Sequence, residues 1–242
     1  LDGTFNDPDA GDTHTVTIAW GDGTQDVISN DNLSPTDGNG NKAFADIRHT
    51  YQDDGQYTIT VTVTDSTNAT ATSTTSISVN NVAPVITQSD PVSISVNEDG
   101  TQTVTLNASD AGKADILTWS ILNQPANGVA SVSLTPTGTS QVISYDPRDN
   151  FTGIDTFEVQ VRDPDGGADT IKVSVNVLPQ PDAPSGLALS GSVSALNEGQ
   201  TFTLSGSFTD PDLGDSFSVT IDWGDGSTPT VVPNTAIVNA GG

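Results

Sequence analysis

One long pattern in this sequence occurs twice, and the repetition limits the architectures that the chain can adopt. Residues 1–24 (LDGTFNDPDAGDTHTVTIAWGDGT) align without a gap on residues 204–227 (LSGSFTDPDLGDSFSVTIDWGDGS). Both copies end in a Trp-Gly-Asp-Gly turn, which begins at Trp20 and at Trp223. Repetition at a fixed distance along a chain is the sequence signature of a tandem array. The sequence therefore predicts one repeat unit followed by the beginning of the next.

Alternating apolar and polar residues predict β-strands in the first part of the chain. From His14 to Trp20 every second residue is large, and threonine or alanine occupies the positions between them. Residues 57–64 alternate in the same way, and residues 70–79 do so more weakly. Side chains two apart on a strand share a face, so each segment has one apolar and one solvated side. No segment shows the 3.6-residue period of an amphipathic helix. This threonine-rich alternation is typical of a β-sandwich.

Three motifs of the first segment occur in the order found in a known family. They are Trp20-Gly21-Asp22-Gly23-Thr24, then His49-Thr50-Tyr51, then residues 55–65 (GQYTITVTVTD). Residues 1–80 therefore resemble the polycystic-kidney-disease (PKD) repeat. The resemblance implies an immunoglobulin-like β-sandwich of extracellular proteins, which serves mostly as a spacer, adhesive or accessory module. Asp22 and Asp225 are expected to be structural turn residues, because glycines on either side permit positive φ and aspartate can bond to its own backbone.

A second domain is predicted at residues 84–178. Seven short strands are proposed, at residues 93–96, 101–108, 117–121, 130–134, 141–145, 156–162 and 170–177. Seven short strands at this spacing predict another sandwich. Residues 145–157 (YDPRDNFTGIDTF) and 163–167 (DPDGG) make this segment similar to the bacterial cadherin-like domains of large surface proteins.

The end of the chain repeats the beginning. Residues 179–186 form a Pro-rich linker, in which Pro179, Pro181 and Pro184 favour extended backbone. Residues 187–242 are predicted to be the N-terminal half of a second PKD-like sandwich. The opening strand of that copy is placed at residues 197–203 (NEGQTFT), and the copy at residues 1–80 lacks this first strand. Upstream residues or a neighbouring molecule would supply it by strand addition. The predicted fold class is all-β, with tandem immunoglobulin-like β-sandwich domains in an elongated array.

The charge of the chain favours cations as partners. Lys and Arg number six against 31 Asp and Glu, which gives a formal net charge of −25. So negative a chain is not expected to bind nucleic acid or an anionic membrane. No apolar run approaches the roughly 20 residues of a transmembrane helix, so no membrane insertion is expected in this segment. Cysteine is absent, which excludes disulfides and thiolate metal sites.

Carboxylate clusters are the candidate metal ligands. Asp7, Asp9 and Asp12 occur within six residues, and the repeat places Asp210, Asp212 and Asp215 at the matching positions. Asp163 and Asp165 form a shorter relative of the same motif. Calcium (Ca²⁺) suits such loops because it accepts six to eight oxygen ligands in a tolerant geometry. The alternative is that each loop is a solvated acidic turn with an Asp-Pro bend. An EF-hand is excluded, since its twelve-residue loop between helices is absent.

The cadherin-like resemblance also implies calcium, since the acidic Asp-x-Asp loops of that family bind the ion near domain junctions. Asp163 and Asp165 match this motif, and Glu98 matches the glutamate near the start of the domain. The linkers depart from the family pattern. Residues 80–84 (NNVAP) contain no carboxylate and residues 180–184 (QPDAP) contain one. Linker sites with three ions are therefore not expected.

Catalysis is not expected. The chain has two histidines. His14 is expected at the rim of the sandwich, because the repeat has Phe217 in its place, and His49 is expected to be structural. No Gly-x-Ser-x-Gly elbow or phosphate-binding glycine loop is present. Trp20, Trp119 and Trp223 are expected in cores rather than on a sugar-binding surface.

The sequence thus predicts a non-enzymatic structural or adhesive segment of a long extracellular or cell-surface protein, such as a stalk, sheath or filament, stabilised by calcium. The expected partners are neighbouring repeats of the same protein and neighbouring copies by strand addition, with a surface polysaccharide or protein as a further candidate. The alternative is an accessory module of a secreted hydrolase that binds carbohydrate or protein.

Overall fold

The computed structural model describes residues 1–9, 11–35, 40–212 and 214–238. Apart from two short 3₁₀ turns, Asn30–Asn32 and Asn234–Ala236, the regular structure of these residues is entirely β. The predicted all-β class is confirmed. No helix in the described ranges has the length and apolar character needed to cross a membrane. The strands form three groups of sheets along the chain, here called the N-terminal unit (β1–β7), the middle unit (β8–β15) and the C-terminal unit (β16–β19).

Two sheets make up the N-terminal unit. Its strands are β1 (Gly3–Asn6), β2 (His14–Ala19), β3 (Gln25–Ile28), β4 (Ser34–Pro35), β5 (Asn41–Phe44), β6 (Gly55–Asp65) and β7 (Thr70–Val79). One sheet has the order β1-β5-β4 and the other β3-β2-β6-β7. The alternation of β2 buries Val16 and Ile18 completely, and they pack with Trp20, Phe44 and Ile59. The predicted strands at residues 14–20, 57–64 and 70–79 are confirmed.

The Trp-Gly-Asp-Gly turn joins β2 to β3 and depends on its glycines. Gly21 has φ +91° and Gly23 has φ +90°. A Cβ atom on Gly21 would lie 2.7 Å from the carbonyl oxygen of Thr58, whereas a Cβ on Gly23 would contact nothing within 4 Å. Asp22 Oδ1 accepts hydrogen bonds from the Thr24 N–H (3.0 Å) and hydroxyl (2.6 Å). Asp22 is therefore the turn residue that the sequence predicted.

The middle unit is a complete sandwich. Its strands are β8 (Val85–Ile86), β9 (Val92–Asn97), β10 (Gln102–Ser109), β11 (Thr118–Asn123), β12 (Gly128–Val132), β13 (Ser140–Pro147), β14 (Gly153–Arg162) and β15 (Ala168–Leu178). The sheets have the orders β12-β13-β10-β8 and β11-β14-β15-β9, and β9 pairs with β15 in parallel. Each of the seven predicted strands has its counterpart among β9 to β15. Leu106, Trp119, Phe157 and Val173 from the two sheets meet in one core.

The C-terminal unit contains two two-stranded sheets within the described residues. They are β16 (Ser185–Gly191) with β17 (Leu204–Thr209), and β18 (Val219–Ile221) with β19 (Thr230–Val232). Two predictions were wrong here. Residues 197–203 form a turn and irregular backbone that belongs to no strand, and β16 is the strand that pairs with β17. Trp223 is 42% exposed, because no described strand of this unit takes the place that β6 has beside Trp20.

Substitution of the two turn glycines tests the packing of the turn. Both Gly21→Ala and Gly23→Ala place a side chain at positive φ, which costs about 1–2 kcal/mol. Only Gly21→Ala also drives a Cβ into the backbone of Thr58, so we expect its total cost to reach about 3 kcal/mol. Hydrogen exchange of the β2 and β6 amides in the full chain measures both changes. Equal effects of the two substitutions would show that the Thr58 contact is unimportant.

Candidate metal centres

Carboxylates gather at the same end of all three units. An aspartate directly follows each of three strands, Asp7 after β1, Asp110 after β10 and Asp210 after β17. Each is part of a group of three carboxylates with one oxygen of each residue within 4.8 Å of the others. These groups are Asp7, Asp12 and Asp65; Asp110, Asp115 and Asp163; and Asp210, Asp212 and Asp215.

The third member of the first two groups comes from matching strands. Asp65 ends β6, and Asp163 follows β14 directly. Asp65 Oδ1 accepts hydrogen bonds from the N–H groups of Thr67 and Ala69, both 2.8 Å. Asp163 Oδ1 likewise accepts from the N–H groups of Asp165 (3.0 Å) and Gly167 (2.7 Å). The turn after β6 and the turn after β14 thus hold an aspartate carboxylate by the same pair of hydrogen bonds, from the N–H groups two and four residues later.

The boundary between the N-terminal and middle units brings carboxylates together from both sides. Asp53 and Asp54, which precede β6, lie within 4.8 Å of Asp165 by one oxygen each. Across the same boundary, Asn81 Nδ2 donates to Asp163 Oδ2 (2.8 Å) and the Lys113 N–H donates to the carbonyl oxygen of Gln52 (3.0 Å). An open cleft of about 130 Å³ lies here. We call this group the first junction cluster: Asp53, Asp54, Asp110, Asp115, Asp163 and Asp165.

Burial and the crowding of like charges shift the pKa values of carboxyl groups in the first junction cluster. Burial, followed by the negative charges of Asp53 and Asp110, raises the pKa of Asp115 to about 6. Burial and the charge of Asp54 also raise the pKa of Asp165. Burial acts in the same direction on Asp163, but hydrogen bonds from Asn81 and from backbone N–H groups outweigh it and lower that pKa. Among the described residues the ion pairs are His14–Asp7 and His49–Asp22, so no basic side chain forms one with this cluster.

The boundary between the middle and C-terminal units has its own cluster. Glu98, only 4% exposed, lies with Asp182 of the linker and Asp212 of the C-terminal unit. Glu98 Oε1 accepts a hydrogen bond from the Gln180 N–H (2.6 Å), and Asp212 Oδ2 accepts one from the Asp182 N–H (2.5 Å). Burial and nearby negative charges, the largest that of Asp99, raise the pKa of Asp182. We call Glu98, Asp182, Asp210 and Asp212 the second junction cluster.

Three buried oxygens in these clusters have no hydrogen-bond partner: Asp110 Oδ2, Asp182 Oδ2 and Asp210 Oδ2. Burial of a carboxylate oxygen without a donor is costly, and native proteins rarely leave such an atom unpaired. A cation among the carboxylates would satisfy all three. The donor set consists of carboxylate oxygens, which are the ligands that calcium prefers. The residues at both junctions therefore fit a calcium ion.

Eight of the nine predicted ligands belong to a carboxylate group, and one does not. Asp9 is exposed, and its N–H donates to Asp7 Oδ1 (2.9 Å), so it shapes the turn. Asp212 occupies the matching position but belongs to two groups. The assignment of all nine as metal ligands stays a prediction. Sequence reasoning missed six acidic residues: Asp53, Asp54, Asp65, Asp110, Asp115 and Asp182. The spacing Asp110-x₄-Asp115 equals that of Asp7 and Asp12, and this signal could have revealed two of them.

Both histidines support the core of the N-terminal unit. His14 is 4% exposed, which corrects its expected position at the rim, and its Nε2 lies 2.8 Å from Asp7 Oδ2. Phe5 lies against its ring at a centroid distance of 5.1 Å. His49 stacks on Trp20 at 4.6 Å, and its Nε2 lies 2.6 Å from Asp22 Oδ2. This arrangement agrees with the structural role predicted for His49.

Comparison with known proteins identifies two domain families. The family model of the PKD domain matches residues 2–79, and that of the bacterial Ig domain matches residues 80–176. A segment that matches the PKD domain is therefore followed directly by a segment that matches the bacterial Ig domain. This confirms the resemblance seen in the sequence. The predicted boundaries at residues 80, 84, 178 and 186 remain predictions.

Several solved structures match parts of the chain. Extracellular cadherin domains 1–5 of protocadherin gamma B2 match at 15% identity with a TM-score of 0.42, over 92% of this chain and 42% of that one. Domains 1–2 of a human mucin-like protocadherin match at 19% identity with a TM-score of 0.34, over 69% of this chain and 85% of that one. An endo-fucoidan hydrolase of glycoside hydrolase family 107 matches at 19% identity with a TM-score of 0.34, over 68% of this chain and 24% of that one. The chain thus spans about a quarter of the hydrolase's length. No curated protein matches the chain.

The Asp22–His49 contact makes the N-terminal unit sensitive to acid. The Thr24 hydroxyl, opposed by burial and aided by His49, lowers the pKa of Asp22 to about 2. A carboxyl with a lowered folded-state pKa contributes stability above its unfolded value near 3.8, and that stability is lost as the pH falls towards 2. We expect Asp22→Asn to lower the melting temperature at pH 7 and to weaken its fall between pH 4 and 2. The matched control is Asp31→Asn at an exposed position. Equal pH profiles for the two variants would contradict the assignment.

Proposed function

We propose that this chain is a non-enzymatic spacer segment of a long extracellular or cell-surface array, and that calcium stiffens its domain junctions. The observation that carries the proposal is the position of the two junction clusters. Each combines carboxylates from successive units, and each contains a buried carboxylate oxygen without a partner. PKD and bacterial Ig domains supply the modular frame. Both histidines are engaged in packing, which supports a structural role.

Electrostatics explains why the junctions need a cation. Two unit charges 4 Å apart repel by ~1 kcal/mol in water and by ~4 kcal/mol at the effective dielectric of a protein surface. The first junction cluster holds six carboxylates with several such pairs. Free of a cation, the carboxylates of adjacent units push each other apart. With a divalent cation between them, the same oxygens attract a common centre and hold the two units in one orientation.

Calcium fits these clusters better than magnesium. The carboxylates come from loops and strand ends of separate elements, and such oxygens meet an ion at varied angles. Calcium accepts six to eight oxygens in a flexible geometry, whereas magnesium requires near-ideal octahedral ligands and keeps several waters. In the first junction cluster Asp110, Asp115 and Asp163 would bind from the middle unit, and Asp53 and Asp54 from the N-terminal unit. In the second, Glu98, Asp182, Asp210 and Asp212 would bind.

The remaining predicted ligands belong to carboxylate groups that contribute less directly to the two junction sites. Asp165 bridges to Asp53 and Asp54, and Asp215 belongs to the group of Asp210 and Asp212. Asp7 and Asp12 form the equivalent end of the N-terminal unit with Asp65. Extracellular modules bind calcium with dissociation constants of roughly 0.1 to 1 mM. At ten times that constant, a site that binds only the folded junction contributes about 1.4 kcal/mol.

Two neutralising substitutions test the proposal. Asp115 and Asp182 have raised pKa values, and neither side chain accepts a hydrogen bond among the described contacts. Asp115→Asn and Asp182→Asn relieve repulsion, so we expect each variant to melt at or above the wild-type temperature in EDTA. Each also removes a ligand, so we expect the stabilisation by millimolar calcium to fall, with about a tenfold weaker binding in titration calorimetry. This opposite response separates metal binding from a general loss of stability.

The control is Asp149→Asn, which removes one charge at an exposed position outside both clusters. We expect it to keep the full calcium response. Small-angle X-ray scattering of the full chain gives a second readout, since stiff junctions narrow the distribution of interdomain distances when calcium replaces EDTA. Magnesium at equal ionic strength should not reproduce the effect. An unchanged calcium response in both junction variants, or an equal response to magnesium, would refute the proposal.

A further inference from the structure

The loop that leads into β6 carries the N-terminal unit's part of the first junction cluster. Residues 52–54 (QDD) form this loop and lie directly before the strand. Asp53 and Asp54 each place one carboxylate oxygen within 4.8 Å of an oxygen of Asp165 in the middle unit. The path of the loop backbone therefore determines where these two carboxylates meet the middle unit.

Tyr57 holds the backbone of this loop. Its hydroxyl lies 3.1 Å from the carbonyl oxygen of Asp53 and 3.0 Å from that of Asp54, so one O–H group is shared between two acceptors. Tyr57 is the third residue of β6, and its side chain reaches back to the segment that precedes the strand. A loop whose carbonyl groups are held loses conformations that it would otherwise sample. Because the contact is made to the main chain, it uses no carboxylate oxygen.

A stack of aromatic rings fixes Tyr57 in its turn. The ring of Tyr57 stacks on that of Tyr51, with a centroid distance of 4.3 Å and an angle of 21° between the planes. The Tyr51 hydroxyl donates to the carbonyl oxygen of Trp20 (3.0 Å). The edge of the Tyr51 ring also meets His49 at 4.8 Å, and His49 stacks on Trp20. The two tyrosines thus connect the loop to the buried core of the N-terminal unit.

The middle unit has an acidic residue in the matching loop but no matching tyrosine. β6 and β14 each begin with a glycine that lies opposite a valine at or near the end of the next strand. The third residue of β14 is Asp155, where β6 has Tyr57. The loop before β14 contains Asp149, which is exposed and belongs to no carboxylate group among the described residues. An acidic loop at this position is therefore not enough to form a cluster.

The cluster that residues 52–54 join points to a cation independently of its charge. Asp110 Oδ2 is buried and has no hydrogen-bond partner, and burial of such an oxygen without a partner is costly. In the same half of the cluster, Asp163 accepts hydrogen bonds from two backbone N–H groups of its own turn. The half from the middle unit is therefore held within that unit. The half from the N-terminal unit depends on the order of residues 52–54.

We propose that Tyr57 is a positioning residue of the first junction, whose hydroxyl orders residues 52–54 before calcium binds. This inference rests on the proposed function, because it concerns the same calcium site. Ordering a loop during binding costs affinity, and a loop that is ordered beforehand avoids that cost. Tyr57 does not contact the ion and acts through the main chain of Asp53 and Asp54. The second junction cluster lies at the other boundary, so it provides an internal reference.

Tyr57→Phe tests the proposal, because it keeps the ring in the stack and removes the hydroxyl. A calcium titration of the full chain, followed by NMR, reads the two junctions separately. The Gly112 N–H donates to Asp110 Oδ1 (2.9 Å) and reports on the first, and the amide of Gly100 reports on the second beside Glu98. We expect calcium binding to weaken about fivefold at the first junction, as for the loss of one hydrogen bond, and to stay unchanged at the second.

Tyr51→Phe is the matched control, since it removes a hydroxyl of the same stack that bonds to Trp20 and not to the loop. We expect it to lower the melting temperature and to leave calcium affinity unchanged at both junctions. Hydrogen exchange in EDTA gives a readout without calcium. Tyr57→Phe should speed exchange of the amides of residues 52–54, whereas Tyr51→Phe should not.

A further pair of variants separates positioning from a general loss of stability. In a chain that carries both Asp53→Asn and Asp54→Asn, the loop no longer offers carboxylates, so Tyr57→Phe should not change calcium affinity further. A wild-type chain without a calcium response at Gly112 would refute the proposed function together with this inference. A wild-type response that Tyr57→Phe leaves intact would overturn the inference alone. So would equal weakening by Tyr51→Phe, or an effect that persists in the double Asn chain.

Discussion

Repulsion between the carboxylates that the fold assembles at the unit boundaries is the constraint on which the proposed calcium dependence of this chain rests. The sandwiches are held by apolar packing, and their cores close without reference to the charges. At the boundaries, carboxylates from two units meet in clusters in which Asp115, Asp165 and Asp182 have raised pKa values and three buried oxygens have no hydrogen-bond partner. Under the proposed function, neutralisation of those charges fixes the orientation of each unit relative to the next, whereas the fold of each unit does not depend on it.

Local alternation made the strands predictable, because burial of one sheet face imposes a two-residue period on the sequence. The strands of the middle unit follow it closely, as in β15, where valine and isoleucine alternate with polar residues. The same reasoning failed at residues 197–203, where the pattern suggests a strand but the structure has a turn followed by irregular backbone. It failed again at Trp223, because burial of a tryptophan depends on strands that are distant in the sequence.

The candidate sites were only partly predictable for the same physical reason. Motifs such as Asp7-Pro8-Asp9 are visible because their members are adjacent in sequence. Asp53 and Asp165 are far apart in sequence, and only the meeting of two units brings them together. Asp9 and Asp212 occupy matching motif positions, but among the described residues only Asp212 belongs to a carboxylate group, which includes Glu98 of the middle unit. Sequence spacing therefore identified the loops, whereas the identity of the ligands depended on the junction.

The constant position of one aspartate has a consequence for how such arrays evolve. Asp7, Asp110 and Asp210 each directly follow a strand, and Asp7 and Asp110 lie in segments that match two different families. At both boundaries the following unit contributes an acidic loop that begins with such an aspartate. The preceding unit contributes Asp53 and Asp54 at one boundary and Glu98 at the other. If one side of every boundary is the same acidic loop, domains of different families can follow one another in any order. Gene duplication and recombination can then lengthen or shuffle the array without a new interface for each pair of neighbours.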